Sequence, residues 1–404
     1  MKKGILAIVF VFVFSLSYSQ WQSLYSPTSI NLNESSFVDE NTGYIAGGMA
    51  GANGIILKTD DGENFTDLNF PFTNQLNSIC FVNNETGFVA GHDGFIAKTV
   101  DGGETWDMQN SYSYSQLNSI FFLDEDTGFV IGAGGYIYRT NNGGFTWNSV
   151  ATNFYFQMNH IRFVGSETGY IAADYGNILK TIDGGLNWEL IDTDATGNLF
   201  CVEFLNDDIG FACSTDGEIL KTLNGGESWS VNSEVTSSAL RYISFNSDEV
   251  FISGNNGIIL RSDDFGETWE IEESNTISSL QSIVFPSFNK GFAFGLGGEI
   301  IKSECSVVFT SEREDKWSIF NSVLNIYPNP VYDVLNINFN TWTKESFYFQ
   351  LFSITGEMVF YGKYESQENS DIHKTLNMGI MKRGIYILKV VTKEDVYTRK
   401  IEKM

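Results

Sequence analysis

Lys98-Thr-Val-Asp-Gly-Gly-Glu-Thr-Trp106 closes one apolar strand, turns tightly and sets a tryptophan at the head of the next strand. Its basic-hydroxyl start recurs at Lys58-Thr59, Arg139-Thr140, Lys180-Thr181, Lys221-Thr222, Arg261-Ser262 and Lys302-Ser303, in steps of 40 or 41 residues. Six of the seven copies lead through an acidic or amide, glycine-rich turn to an aromatic: Phe65, Trp106, Trp147, Trp188, Trp229 and Trp269. No such aromatic follows Ser303. The missing one is Trp21, near the start of the chain, so the first strand is expected to complete the last unit.

Around this turn each unit holds four strand-like stretches. In residues 76–109 they are Leu76-Asn-Ser-Ile-Cys-Phe81, Gly87-Phe-Val-Ala90, Phe95-Ile-Ala-Lys98 and Thr105-Trp-Asp-Met108. The turns between them are rich in Asn, Asp and Gly, which tolerate positive φ and bond their own backbone. A four-stranded meander of about 40 residues is the size of one propeller blade. The expected fold is therefore all-β: a seven-bladed β-propeller of four-stranded blades, closed by the N-terminal strand. The sixth unit has one residue fewer at Asp248-Glu-Val-Phe251, which predicts a tightened first turn.

Composition agrees with many short strands. Of 404 residues, 15% are aromatic and 18% charged, and 39 are glycine. No helical apolar period is sustained outside the leader. Lys2-Lys3, an apolar run from Gly4 to Leu16 and Ser17-Tyr18-Ser19 read as a signal peptide over residues 1–19, cleaved before Gln20. The propeller is expected over 20–304, a polar linker over 305–322 and a second domain over 323–404. The formal charge of −26 lies almost wholly in the propeller: residues 20–304 carry 10 basic and 38 acidic side chains. So acidic a body argues against nucleic acid and anionic membranes as partners.

Four cysteines (Cys80, Cys201, Cys213, Cys305) show no CxxC spacing. Pairing Phe204 with Phe211 would set Cys213 opposite Val202, pointing the two sulfurs of that blade to different faces; free buried thiols are expected. The three histidines, His92, His160 and His373, are scattered, so no histidine-based metal site is legible and no cofactor is expected.

The turn resembles the Asp-box, or bacterial neuraminidase-type, repeat Ser/Thr-x-Asp-x-Gly-x-x-Trp. The match recurs at Thr140–Trp147, Thr181–Trp188, Thr222–Trp229 and Ser262–Trp269, with a shorter copy at Thr59–Phe65. Its acid or amide positions, Asp61, Asp101, Asn142, Asp183, Asn224 and Asp264, are expected to be structural, bonding nearby backbone N–H groups while the aromatic packs between strands. Together with Thr42-Gly-Tyr-Ile-Ala-Gly47 and Thr86-Gly-Phe-Val-Ala-Gly91, the repeat looks most like the photosystem II stability/assembly-factor-like propellers. That resemblance implies a non-enzymatic binding or assembly scaffold and does not imply photosynthesis.

After the linker come Leu324-Asn-Ile-Tyr-Pro-Asn-Pro330, Val334-Leu-Asn-Ile337, Leu351-Phe-Ser-Ile-Thr-Gly356, Gly384-Ile-Tyr-Ile-Leu-Lys389 and the terminal Arg399-Lys-Ile-Glu-Lys-Met404. This segment looks like the type A sorting domain of the type IX secretion system. The resemblance implies a small immunoglobulin-like β-sandwich, recognition by the secretion machinery, and a secreted or outer-surface location in a Gram-negative bacterium, reached through the periplasm.

Meander order places the Asp boxes and first turns on one face of the disc, and the interblade loops and second turns on the other. On that second face the residue after each innermost leucine or methionine is expected to line the channel mouth: Asn33, Asn77, Asn118, Asn159, Phe200, Arg241 and Gln281. Loop aromatics, among them Tyr112 and Tyr155, lie nearby. Amides beside aromatic rings suit a glycan, an extended peptide or a surface protein. No catalytic residue is singled out, and a monomeric binding module is expected. The rival is a glycan hydrolase, sialidase- or xyloglucanase-like, using loop carboxylates such as Asp93, Asp174 and Asp216 on this face, although glycosidase chemistry needs a spaced pair.

Overall fold

The computed structural model describes residues 21–304 apart from 50–52, 112, 234, 247–248 and 288–289. It also describes residues 324–403 apart from 328–330, 333, 342–345, 354–357, 366–369, 379–380, 382 and 392–395. The leader, the linker, Cys305, Tyr112 and the Pro-Asn-Pro of the second domain lie outside these residues.

Seven four-stranded antiparallel sheets form the blades. Six are meanders in chain order, as in Leu76–Phe81, Gly87–Gly91, Ile96–Thr99 and Asp107–Gln109 of blade 2. The seventh runs Gln22–Ser23, Ile300–Glu304, Lys290–Gly295, Leu280–Ser287, so the first strand of the chain is the outer strand of the last blade. Gln22 pairs with Lys302 as Asp107 pairs with Lys98 in blade 2. Trp21 thereby stands where Trp106 stands. It is buried and meets Phe285 edge to face, as Trp106 meets Phe81.

The repeated residues have separate physical duties. Gly94 has φ +69°, and a Cβ there would lie 2.0 Å from the Ser113 carbonyl of the interblade loop. At Gly87 a Cβ would meet the Phe81 ring at 2.6 Å, so the aromatic lies flat on bare backbone. Four of the basic residues tie their blade to the box of the next one: Lys98 donates to Gly143 O at 2.9 Å, Lys180 to Gly225 O at 2.8 Å, Lys221 pairs with Glu267, and Lys302 with Glu63. That last pair crosses the closure. Between blades apolar side chains interlock, for example Tyr44, Ala46 and Ile56 against Leu76, Ile79, Phe81 and Val89. Burial on both faces explains why the second strands read as continuous apolar runs.

Two register details matter. In blade 6 Phe245 pairs with Val250, whereas blade 3 pairs Phe122 with Gly128, so the sixth first turn is shorter by the one missing residue. In blade 5 the expected pairing is wrong by one residue. Phe204 pairs with Gly210, so that its ring covers the glycine, and Cys201 falls directly opposite Cys213. The two side chains therefore share a face. Both are nonetheless free thiols, fully buried, and Cys80 is also free.

Residues 324–403 form two further antiparallel sheets. One runs Leu324–Tyr327, Val334–Thr341, Ser370–Asn377; the other runs Met358–Glu365, Ser346–Ser353, Gly384–Val391, Val396–Lys403. Leu335, Ile337 and Leu376 from the first share a core with Phe349, Leu351, Leu388, Val390 and Ile401 from the second, which makes a small β-sandwich.

Candidate functional site

All seven innermost strands break register after their first residue, and each break leaves one residue bulged. The bulged residues are Asn33, Asn77, Asn118, Asn159, Phe200, Arg241 and Gln281, the residues read from the sequence as lining the channel mouth. A bulge re-aims a side chain out of the ladder, and all seven are half-buried.

The four asparagines use their amide N–H groups on the protein itself. Asn33 donates to Leu76 O, Asn77 to Leu117 O and Asn118 to Met158 O, each at 2.7 Å, and Asn159 donates to Leu199 O at 2.8 Å. Each bond runs from one blade to the first inner-strand residue of the next. The oxygens of Asn118 and Asn159 accept from Gln116 and Gln157. Arg241 lies over the Phe200 ring, 4.2 Å from its centroid, and donates to Asn255 within its own blade.

Aromatic side chains of the same face divide in two. Phe70 is buried against Phe95 and Trp106, and Phe72, Phe154 and Phe156 are half-buried between blades. Tyr114 and Tyr155 in interblade loops are 95% and 85% exposed, and Tyr25 and Tyr175 are 81% and 73% exposed. These rings seal nothing. Among the loop acids, Asp174 accepts from Asn159 and Asp216 from Thr215.

On the other face the box residues are consumed by their own turns. Asp101 accepts from Thr99 Oγ1, Thr105 N and Thr105 Oγ1 at 2.7, 2.9 and 2.5 Å. Asp61, Asn142, Asp183, Asn224 and Asp264 accept equivalent bonds. The Thr105 bonds hold the Asp101 carboxyl down at about 2, and the Asn187 bonds do the same for Asp183.

Between the two mouths, the third and fifth residues of the inner strands carry a polar cluster that the repeat pattern hides. A cavity of about 500 Å³ is walled by Glu34, Cys80, Phe121, His160, Arg162 and Tyr242 and reaches Asp124 and Glu125 of a first turn, on the box face. Glu34 accepts from Tyr242 OH at 3.3 Å and from Ile79 N at 3.2 Å. Burial pushes its carboxyl up to about 7. Arg162 Nε bonds Glu203 Oε2 at 3.1 Å; the Arg162 side chain is 45% open, into the cavity, while Glu203 is buried. Glu203 keeps Arg162 charged, and desolvation lifts the Glu203 carboxyl. His160 Nδ1 lies 3.1 Å from Val202 O and 3.8 Å from Cys201 Sγ. Burial, reinforced by Arg162, pushes the imidazole down to about 3. The one sequence signal was charge at inner-strand positions where other units carry serine, cysteine or an apolar residue.

The family model described as photosynthesis system II assembly factor YCF48 matches residues 13–111, 112–198 and 186–277. The secretion system C-terminal sorting domain model matches residues 325–403. Among solved structures the chain is similar to YCF48 bound to D1 peptide, at 23% identity and a TM-score of 0.62, covering 72% of this chain and 99% of the other. YCF48 from Cyanidioschyzon merolae aligns at 20% identity and a TM-score of 0.59, with 71% and 99% covered. A streptogramin B lyase aligns at 15% identity and 0.61, with 73% and 100% covered. At these identities the likeness is one of fold. A search of curated protein sequences finds no match.

Proposed function

The chain belongs to the photosynthesis system II assembly factor YCF48 family of propellers, and from that premise we propose that it is an exported, non-catalytic docking module for an extended polypeptide of a surface protein. The sorting domain at residues 325–403 indicates export through the type IX machinery. In this reading residues 1–19 are a cleaved leader, 20–304 the binding unit, 305–322 a tether and 323–404 the address recognised by the machinery. The mature protein is a secreted or surface-held monomer of a Gram-negative cell.

The observation that carries the docking role is the set of exposed tyrosines, Tyr25, Tyr114, Tyr155 and Tyr175, on the face opposite the boxes. Tyrosine offers a large, rigid, amphipathic contact at low entropic cost. The asparagines beside them are occupied in joining blades, so the rings rather than the amides supply the contact. A relative with this fold is described as bound to a peptide, which favours a peptide over a glycan.

Peptide and glycan arrays probed with the mature chain test this. A peptide signal is expected, lost in the Tyr114→Ala/Tyr155→Ala/Tyr175→Ala variant. Retention of the signal in that variant overturns the docking face. Robust release of reducing sugar from a glycan panel overturns the non-catalytic reading in favour of a hydrolase.

A further inference from the structure

Inside the channel, away from the docking face, three different ligand types converge. His160 comes from the inner strand of blade 4, and Cys201 and Glu203 from that of blade 5. One ligand atom from each lies within 4.8 Å of the other two, and all three residues are buried. Cys201 Sγ is 3.8 Å from His160 Nδ1, about the edge of a tetrahedron built on metal–sulfur and metal–nitrogen bonds of about 2.3 and 2.0–2.1 Å.

We propose that His160, Cys201 and Glu203 form a binding site for a divalent transition metal of the zinc class. The donor set of thiolate, imidazole and carboxylate suits a borderline-soft ion and is poor for calcium or magnesium, which take oxygen ligands. Three protein ligands leave one position of a tetrahedral ion open. His160 is on the wall of the 500 Å³ cavity, which reaches the box face between Asp124 and Glu125 and gives the ion its way in.

The surroundings tolerate a cation: the channel holds two carboxylates, Glu34 and Glu203, against the one guanidinium of Arg162. Arg162 does not compete for the site: a carboxylate offers about four acceptor positions, so one bond to Arg162 leaves Glu203 able to ligate. Arg162 then acts as the outer partner that fixes the orientation of the ligand. Ligation through Nδ1 puts the imidazole proton on Nε2, and the Nδ1 contact with Val202 O gives way to the metal bond. On binding, the Cys201 thiol gives up its proton to water that enters with the ion, and the sulfur lone pair forms the new bond. The proposal is independent of what docks on the tyrosines.

The test is cobalt(II) titration of the chelator-stripped mature protein, because a thiolate–cobalt bond gives a charge-transfer band that oxygen ligands do not. One equivalent should saturate the band. Cys201→Ser should abolish it, His160→Gln and Glu203→Gln should each weaken binding by at least about tenfold, and Cys80→Ser, on the same wall, should leave it intact. No band, a band that survives Cys201→Ser, or a band lost in Cys80→Ser overturns the assignment. Glu203→Gln keeps the side-chain shape, so unchanged affinity in that variant overturns it even if Cys201→Ser fails to fold.

Discussion

Gln22 and Lys302 are direct register partners, the first described strand of the chain lying against the last strand of the propeller. Leu24 N extends the pairing to Ile300 O at 2.8 Å, and Asn275 donates to Trp21 O at 3.0 Å. The ring is closed by a segment that carries only two ladder residues but a whole buried indole. Removing residues 20–25 should lower stability by several kcal/mol. Trp21→Ala alone should cost about 3–5 kcal/mol, the range for truncating a buried large aromatic. Urea unfolding monitored by circular dichroism checks this, and an unchanged midpoint would exclude Trp21 as the seventh box aromatic.

Asn118→Ala should destabilise the disc by about 1–3 kcal/mol, since it strips the Met158 carbonyl of its interblade donor in a buried setting. Gln281→Ala, at the equivalent bulge of blade 7, makes no such bond among the described residues and should fall within about 0.5 kcal/mol of the parent. The same urea titration separates the two.

Glu34 gives a pH dependence. Its carboxyl sits at about 7 in the fold because burial outweighs the bonds from Ser78, Ile79 and Tyr242, with Glu203 adding repulsion. The unfolded value is lower, so between roughly pH 4.5 and 7 the folded state binds more protons and this contribution to stability falls as pH rises. Above pH 7 the loss is complete. Glu34→Gln in metal-free protein should therefore show a smaller drop in melting temperature between pH 5 and 8 than the parent; an equal drop would place the titration elsewhere.

Deleting residues 323–404 should leave the propeller folded and retained in the periplasm, as seen by fractionation and surface proteolysis. Undiminished delivery to the surface would refute the sorting role of the second domain.

Much of the architecture was readable because its cause repeats. The basic-hydroxyl turn recurs every 40 or 41 residues, so blade count, strand order and closure by Trp21 all follow from spacing. The channel was harder to read. Glu34, His160, Arg162, Glu203 and Tyr242 meet only because four different blades bring their inner strands to one axis, and a period averages over the positions at which units differ. Cys201 and Cys213 failed for a local reason: a slip of one residue at Phe204 reverses which face a strand residue takes. That the amides of Asn33, Asn77, Asn118 and Asn159 join neighbouring blades depends on distances no sequence period carries.

The carboxamide bonds at the channel mouth span only the contacts from blade 1 to blade 5. At the three remaining contacts the bulge holds Phe200, Arg241 or Gln281, and the last of these belongs to the blade within which the two ends of the propeller meet. The disc is thus an arc of five blades joined by four links, with a built-in parting line beside its clasp. Under load from either end, blades 6 and 7 should peel away first and return last, leaving the arc as the template on which the circle is restored.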